Sequence, residues 1–274
     1  MPRRIEDYAV IGNCETLALV GIDGSIDWLG LPRFDSAACF AALLGDAGNG
    51  RWLIAPDDGD ARATRRYRGD TLILETVFDT AGGSVSVADF MSRRAGVADL
   101  VRVVRCTRGS VAMHTELVVR FDYGASVPWV SRQPDGRLQF VAGPDRLLLD
   151  TTVPLRGEDL RTVGEFAMSA GDEITFTLSW SLSFRDAPES LHAADALAQV
   201  ERFWGKWVEA FNPAGEWSNT VLRSLLTLKA LSHWETGGIV AAGTTSLPEQ
   251  RQGSRNWDYR YCWLRDATFT LMAL

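Results

Sequence analysis

The 274-residue sequence is poor in the residues that build metal centres and cross-links. Its three histidines, His114, His192 and His233, share no ligand spacing with one another or with a cysteine, so no histidine-based metal site is indicated. The four cysteines, Cys14, Cys39, Cys106 and Cys262, are widely separated and form no C-x-x-C pair. That spacing argues against both a zinc site and a disulfide framework, and all four read as reduced. No run of about 18 apolar residues offers a membrane span, and the opening MPRRIEDYAV lacks the apolar stretch of a signal peptide. A cytoplasmic protein without a membrane partner is expected. Positive charge is also in deficit, with 28 Lys and Arg against 35 Asp and Glu, a net charge of -7 and a pI near 5.1. Basic residues gather only in short groups such as Arg62, Arg65, Arg66 and Arg68, which makes nucleic acid an unexpected partner. There is no internal repeat, no low-complexity tract and no phosphate-cradling glycine motif, and no cofactor is implied by the residues present.

What the chain does contain is strand signal followed by helix signal, on a length that suits roughly two domains. ETLALVG and SIDWLGLP flank Asp23-Gly24, which predicts a hairpin with a two-residue turn and with Leu17, Leu19, Ile26 and Trp28 on the core side. The acids in this region, Asp23, Asp27 and Asp35, read as local structural residues rather than a catalytic set. Asp35-Ser36 in particular reads as a cap ahead of a short helix over AACFAALLG. From residue 51 to 184, β-branched and aromatic runs alternate with turn signals at Gly82-Gly83, Arg108-Gly109-Ser110 and Ala170-Gly171-Asp172, predicting repeated hairpins and an antiparallel β-sandwich. Residues 123–159, rich in Pro and Gly, read as loops with short strands at RLQFVA and RLLLDT.

After Pro188 the period becomes helical. Leu197, Val200, Trp204, Trp207, Val208 and Phe211 share one face of a helix that Asn212-Pro213 should stop. A second helix places Trp217, Val221, Leu225, Leu228 and Leu231 together and should end at Gly237-Gly238. Trp204, Trp207, Trp217 and Trp234 read as core residues.

The densest stretch lies at 237–274. Trp257, Asp258, Tyr259, Arg260, Tyr261, Trp263, Arg265 and Asp266 fall close together, offering flat aromatic surfaces beside charged hydrogen-bonding groups. A sugar ring needs both, since it presents C–H faces and a rim of hydroxyls. Arg265 and Asp266 are the sharpest pair, because a carboxylate accepts from two neighbouring hydroxyls while a guanidinium donates in a planar fork. Consecutive residues do not share a helix face, so a converging pair must sit where a loop turns into a helix. The following ATFTLMAL supplies that helix. By composition alone the pair also fits a structural ion pair beneath an aromatic core.

TTSLPE (244–249) and NWDYRYCWLRDATFTL (256–271) resemble the opening of the catalytic domain of glycoside hydrolase family 15, the glucoamylases and related bacterial trehalases. Residues 5–45, IEDYAVIGNCETLALVGIDGSIDWLGLPRFDSAACFAALLG, are similar to the trehalase-like N-terminal domain that precedes it. Two separate matches in the expected order are more specific than either one. The resemblance implies an N-terminal β-sandwich over 1–187, a helical linker over 188–236 and, from 237, the first helix of a truncated (α/α)6 barrel. It also implies an inverting exo-hydrolase that releases glucose from an α-glucoside, trehalose or an α-1,4-glucan. Arg265 and Asp266 resemble the pair that grips the non-reducing glucose, Trp263 resembles the aromatic before it, and Trp257 is a possible sugar contact. Asn256, Asp258 and Tyr259 are assigned only to shaping the loop. Gly243 and QRQGS (250–254) depart from the usual pattern.

An inverting glycosidase uses an acid and a base roughly 6.5 to 9.5 Å apart. In the family these are glutamates farther downstream, so the expectation is that this chain holds no catalytic residue of its own and that its partner is the rest of the barrel. The alternative is a noncatalytic carbohydrate-binding or assembly module.

Overall fold

The computed structural model describes residues 3–211, 213–245, 250 and 253–274. Fifteen strands form one antiparallel sheet that folds over on itself into two layers. In chain order they are β1 (Tyr8–Gly12), β2 (Leu17–Gly21), β3 (Ser25–Gly30), β4 (Ala38–Phe40), β5 (Arg51–Pro56), β6 (Arg62–Tyr67), β7 (Leu74–Asp79) and β8 (Gly83–Arg94). They continue as β9 (Val97–Val118), β10 (Trp129–Arg132), β11 (Leu138–Ala142), β12 (Asp145–Thr151), β13 (Arg156–Glu158), β14 (Arg161–Ser169) and β15 (Glu173–Leu182). Three helices follow, α1 (Ala193–Val208), α2 (Ser218–Ala230) and α3 (Leu264–Ala273).

The fold-over is made by β9. Its first half pairs with β8 and β15, and its second half with β5 and β14, so this one strand belongs to both layers. Arg108-Gly109-Ser110 is therefore a bend inside a continuous strand and not the hairpin turn its composition predicts. Gly109 takes φ +69°, and an added Cβ would strike the Gly82 carbonyl of the neighbouring strand. Ala170-Gly171-Asp172 bends at the matching place. There β14 passes into β15 while pairing with β9 continues through Ala170 N to Gly109 O (2.9 Å) and Gly171 N to Cys106 O (2.9 Å). Two long partners bending together keep the ladder satisfied around the corner.

The layers enclose a core that includes Ile26, Trp52, Phe140, Val104 and Phe176. Trp52 and Phe176 meet edge to face across it, with ring centroids 6.2 Å apart. Burying each such ring is worth about 1.5–3 kcal/mol. Within the core lies an ion pair, Arg102 with Asp89 (2.7 Å), both fully buried. Arg102 also donates to Trp52 O (2.9 Å) and Gly24 O (2.7 Å), so its fork ties β9 to β5 and to the first hairpin turn as well. β6 is an edge strand of alternating exposed residues, and it carries Arg62, Arg65 and Arg66 of the basic group, with Arg68 just past its end. Arg66 and Arg68 pair with Glu75, while Arg65 donates to the carbonyls of Glu6 (2.7 Å), Asp7 (2.5 Å) and Tyr8 (3.2 Å).

Four local expectations are corrected. The first hairpin closes through three residues, Ile22, Asp23 and Gly24, with Gly24 N donating to Gly21 O (2.9 Å) and Gly24 at φ +84°. Asp35-Ser36 caps no helix. Asp35 accepts from Arg33, Ser36 Oγ accepts from Arg33 N, and the chain continues into β4 and a single 3-10 turn over Ala42–Leu44. The second helix ends at Ala230, not at Gly237-Gly238, and buries Leu225, Leu226 and Ala230 while Val221 is exposed. Its rotation is set by Arg223, which donates to Thr71 O (2.6 Å) and Gly69 O (3.1 Å) and stacks on Tyr67 at 4.1 Å. α1 and α2 thereby cover the outer face of β8 and β9 with Val200, Trp204 and Leu226. Trp217 and Trp234 are not core residues. Trp217 is 67% exposed, and Trp234 lies on the surface against the Arg93 guanidinium at 3.9 Å. Asn212, named above as part of the stop signal of α1, is outside the described residues. Among the described residues no helix is long and apolar enough to cross a membrane.

Candidate functional site

After α2 the chain returns to the sandwich. Val240 packs among Leu17, Trp28, Phe34 and Ala38 on the outer side of β2 to β4, and the Trp28 indole donates to Gly243 O at 2.9 Å. A Cβ at Gly243 would overlap the Leu17 side chain, which explains glycine at this departure from the family pattern. Ser246, Leu247, Pro248 and Glu249 of the TTSLPE motif, with Arg251 and Gln252 of the second departure, lie outside the described residues.

The segment from 256 onward is built by an ion pair that the sequence reading passed over. Arg260 is buried and grips Asp258 with Nε (3.0 Å) and Nη2 (2.7 Å), while its own backbone N–H donates to the same carboxylate (3.0 Å). Its third arm, Nη1, donates to the Ser36 carbonyl of the sandwich at 2.8 Å. The hydrogen bonds from Arg260 hold the Asp258 carboxyl below its ordinary range. Burial is the largest single influence and works against the Arg260 charge, but the interactions with Asp258 and Tyr123 together outweigh it and the pKa is raised. The i, i+2 spacing of Asp258 and Arg260 was visible as a local pairing signal. The anchor at Ser36, 224 residues away, had none.

The Asp258 carbonyl in turn accepts from the Trp263 indole at 3.1 Å. Trp263, half-buried, packs against Tyr259 (centroids 5.5 Å, 33°) and against the edge of Trp257 (6.5 Å, 74°). Trp257 is 50% exposed and offers an open indole. Trp263 is also the N-cap of α3, in extended conformation, so Arg265 and Asp266 occupy the second and third positions of the helix. The loop-to-helix junction demanded by a converging pair is present, and a carboxylate in the first turn suits the helix dipole. The pair itself is loose, at 3.4 Å, with the Arg265 side chain 75% exposed and that of Asp266 36% exposed. It is not a buried structural ion pair beneath an aromatic core. The structural ion pair of this segment is Asp258 with Arg260, one turn of chain earlier.

Trp257 and Trp263 are thus in ring contact, and Trp263 leads directly into the Arg265 and Asp266 pair at the start of α3. These groups suit a neutral polyol, which stacks on rings and exchanges hydrogen bonds with charged partners. No three His, Cys, Asp or Glu side chains among the described residues cluster closely enough to hold a metal ion.

Residues 1–152 match the trehalase-like N-terminal domain family, and residues 215–274 match glycosyl hydrolases family 15. The chain belongs to the trehalase-like N-terminal domain family. Curated relatives of this trehalase-like chain agree. It is 34% identical to the trehalase of Mycolicibacterium smegmatis, over 98% of its own length and 44% of that protein. It is 33% identical to the trehalase of Mycobacterium tuberculosis, over 98% and 43%, and 30% identical to that of Thermoplasma volcanium, over 99% and 44%. The trehalase-like chain thus spans less than half the length of these relatives. Its fold is shared with the crystal structure of a bacterial glucoamylase complexed with acarbose, at a TM-score of 0.66 and 11% identity, over 90% of this chain and 43% of the other.

Proposed function

We propose that this chain supplies the β-sandwich, the helical linker and one wall of the glucose subsite of an inverting, exo-acting α-glucoside hydrolase that releases glucose from trehalose or α-1,4-glucans. The observation that carries the reading is the junction at Trp263, where a half-buried indole leads directly into the exposed Arg265 and Asp266 of the first turn of α3. In this role Arg265 donates to hydroxyls of the non-reducing glucose, Asp266 accepts from two of them, and Trp257 and Trp263 pack on the ring. The acid and base of an inverting reaction are then glutamates supplied by sequence following Leu274, held far enough apart to admit water. The sandwich (1–187), linker (188–236) and opening of the (α/α)6 barrel (237–274) are the three units of this arrangement. Support for a barrel contact comes from α3, on which Leu264, Phe269, Leu271 and Met272 are all exposed, forming an apolar surface suited to further helices. Trehalose is favoured as substrate because the three curated relatives named above are trehalases.

A second reading, a noncatalytic carbohydrate-binding or assembly module, is favoured by the exposure of Trp257 and Arg265 in the chain by itself. The two are separated by measuring glucose release from trehalose and from maltooligosaccharides, for the 274-residue chain and for a version extended to the length of its relatives. Release by the extended form alone is the expected result, and the preferred sugar then names the enzyme. Calorimetric titration of the short chain with millimolar trehalose and maltose tests the module, which an absence of heat would rule against.

A further inference from the structure

The tethers of segment 256–263 lead back to one place on the sandwich. Tyr123 and its neighbour Asp122 both take left-handed backbone, at φ +57° and +51°, a conformation unfavourable for non-glycine residues. The turn that carries them is closed by Phe121 and Ser126, which exchange backbone hydrogen bonds of 2.8 and 3.0 Å. The Tyr123 ring lies against Trp28 on one side (6.4 Å) and against the Arg260 guanidinium on the other (5.5 Å). Trp28 holds Gly243, at the start of the C-terminal stretch, and Arg260 holds Asp258, near its middle. One strained turn of the sandwich thus lies against Trp28 and Arg260, the two side chains that hold Gly243 and Asp258.

We infer that Arg260, seated on Ser36 and Tyr123 of the sandwich, is a positioning residue for that wall, fixing Trp263 and with it Arg265 and Asp266. This rests on the glucose-subsite reading above. The path is short. Arg260 orients Asp258 through a two-pronged ion pair, the Asp258 carbonyl receives the Trp263 indole, and Trp263 opens the helix that carries the pair. Only a guanidinium meets the geometry, because Asp258, the Ser36 carbonyl and the Tyr123 face lie in three directions from one planar group. A lysine keeps the charge but offers a point donor, so it can satisfy one partner and not the set. In this arrangement the N-terminal sandwich is part of the site's construction, although no sandwich side chain needs to touch the sugar.

The test uses Arg260→Lys, which retains charge and bulk. In the 274-residue chain the indole N–H of Trp263, assigned with Trp263→Phe, is followed by ¹H–¹⁵N NMR beside those of the buried Trp52 and Trp204. The expected result is a displaced, fast-exchanging Trp263 signal with the other two unchanged. In the extended chain the same substitution is expected to lower kcat/KM for trehalose at least ten-fold while the thermal midpoint stays within a few degrees. An unmoved Trp263 signal, or a displaced one with undiminished kcat/KM, overturns the inference. Arg265→Ala run in parallel separates the two claims. If Arg265→Ala is impaired and Arg260→Lys is not, the positioning role alone fails; if Arg265→Ala is fully active, the subsite reading fails and takes this role with it.

Discussion

The sandwich and the segment 237–274 use aromatic residues in opposite ways. In the sandwich Trp28, Trp52, Phe140 and Phe176 are enclosed by strands from both layers or by the returning chain. In the segment only Ile239, Val240, Arg260 and Thr270 are buried among the described residues, while Trp257, Tyr261 and Phe269 stand in solvent. The difference lies in what holds the backbone. A ladder of strand pairs can close on itself and exclude water, so its rings become core. A loop held by an ion pair, one indole and a few backbone bonds cannot, so its rings remain available to something else.

That comparison predicts a graded response to substitution. The largest effect on stability belongs to the sandwich. Arg102→Ala should destabilise the chain by about 3–5 kcal/mol in urea denaturation, because it strands the Asp89 carboxylate in a fully buried site. Gly109→Ala comes next, at roughly 2 kcal/mol, since it forces a left-handed φ on alanine and drives its Cβ against Gly82 O. The clasp should respond to acid. Asp258 has a depressed pKa when folded, so its contribution is fully present above the ordinary aspartate value of 3.8 and is lost as pH falls through the folded value. Tryptophan fluorescence from the 256–263 loop should therefore change below about pH 4, and Asp258→Asn should remove that transition. The smallest effect on stability is expected of Arg265→Ala, within about 0.5 kcal/mol, because the pair is loose and exposed. A large loss there would mean that Arg265 is structural after all.

Much of the sandwich was legible, and the reasons are local. Asp23-Gly24, Gly82-Gly83 and the RLQFVA and RLLLDT runs announce strands and turns through nearest-neighbour chemistry. The bend at Gly109 did not show itself, because a turn glycine in a hairpin and a bend glycine in one strand look alike until both partners are known. Asp35-Ser36 misled for a related reason: a cap sequence was present, but strand pairing with β3 claimed the residues after it. Periodicity placed the helices but not their rotation, which Arg223 sets through contacts with the sandwich. In the candidate site the cluster and the loop-to-helix junction were both readable. Asp258 was read as shaping the loop and Arg260 as one charged group of the cluster; their pairing was not read, because its anchor at Ser36 lies in a distant part of the chain.

The central question is whether Arg265 and Asp266 face a sugar. The most direct measurement is kcat/KM for trehalose in the extended chain carrying Arg265→Ala. A fall of about a hundred-fold or more, equivalent to several kcal/mol of lost transition-state binding, is predicted from the removal of a charged partner to glucose hydroxyls. Activity within a factor of two or so of the unsubstituted enzyme, at an unchanged fold, would contradict it.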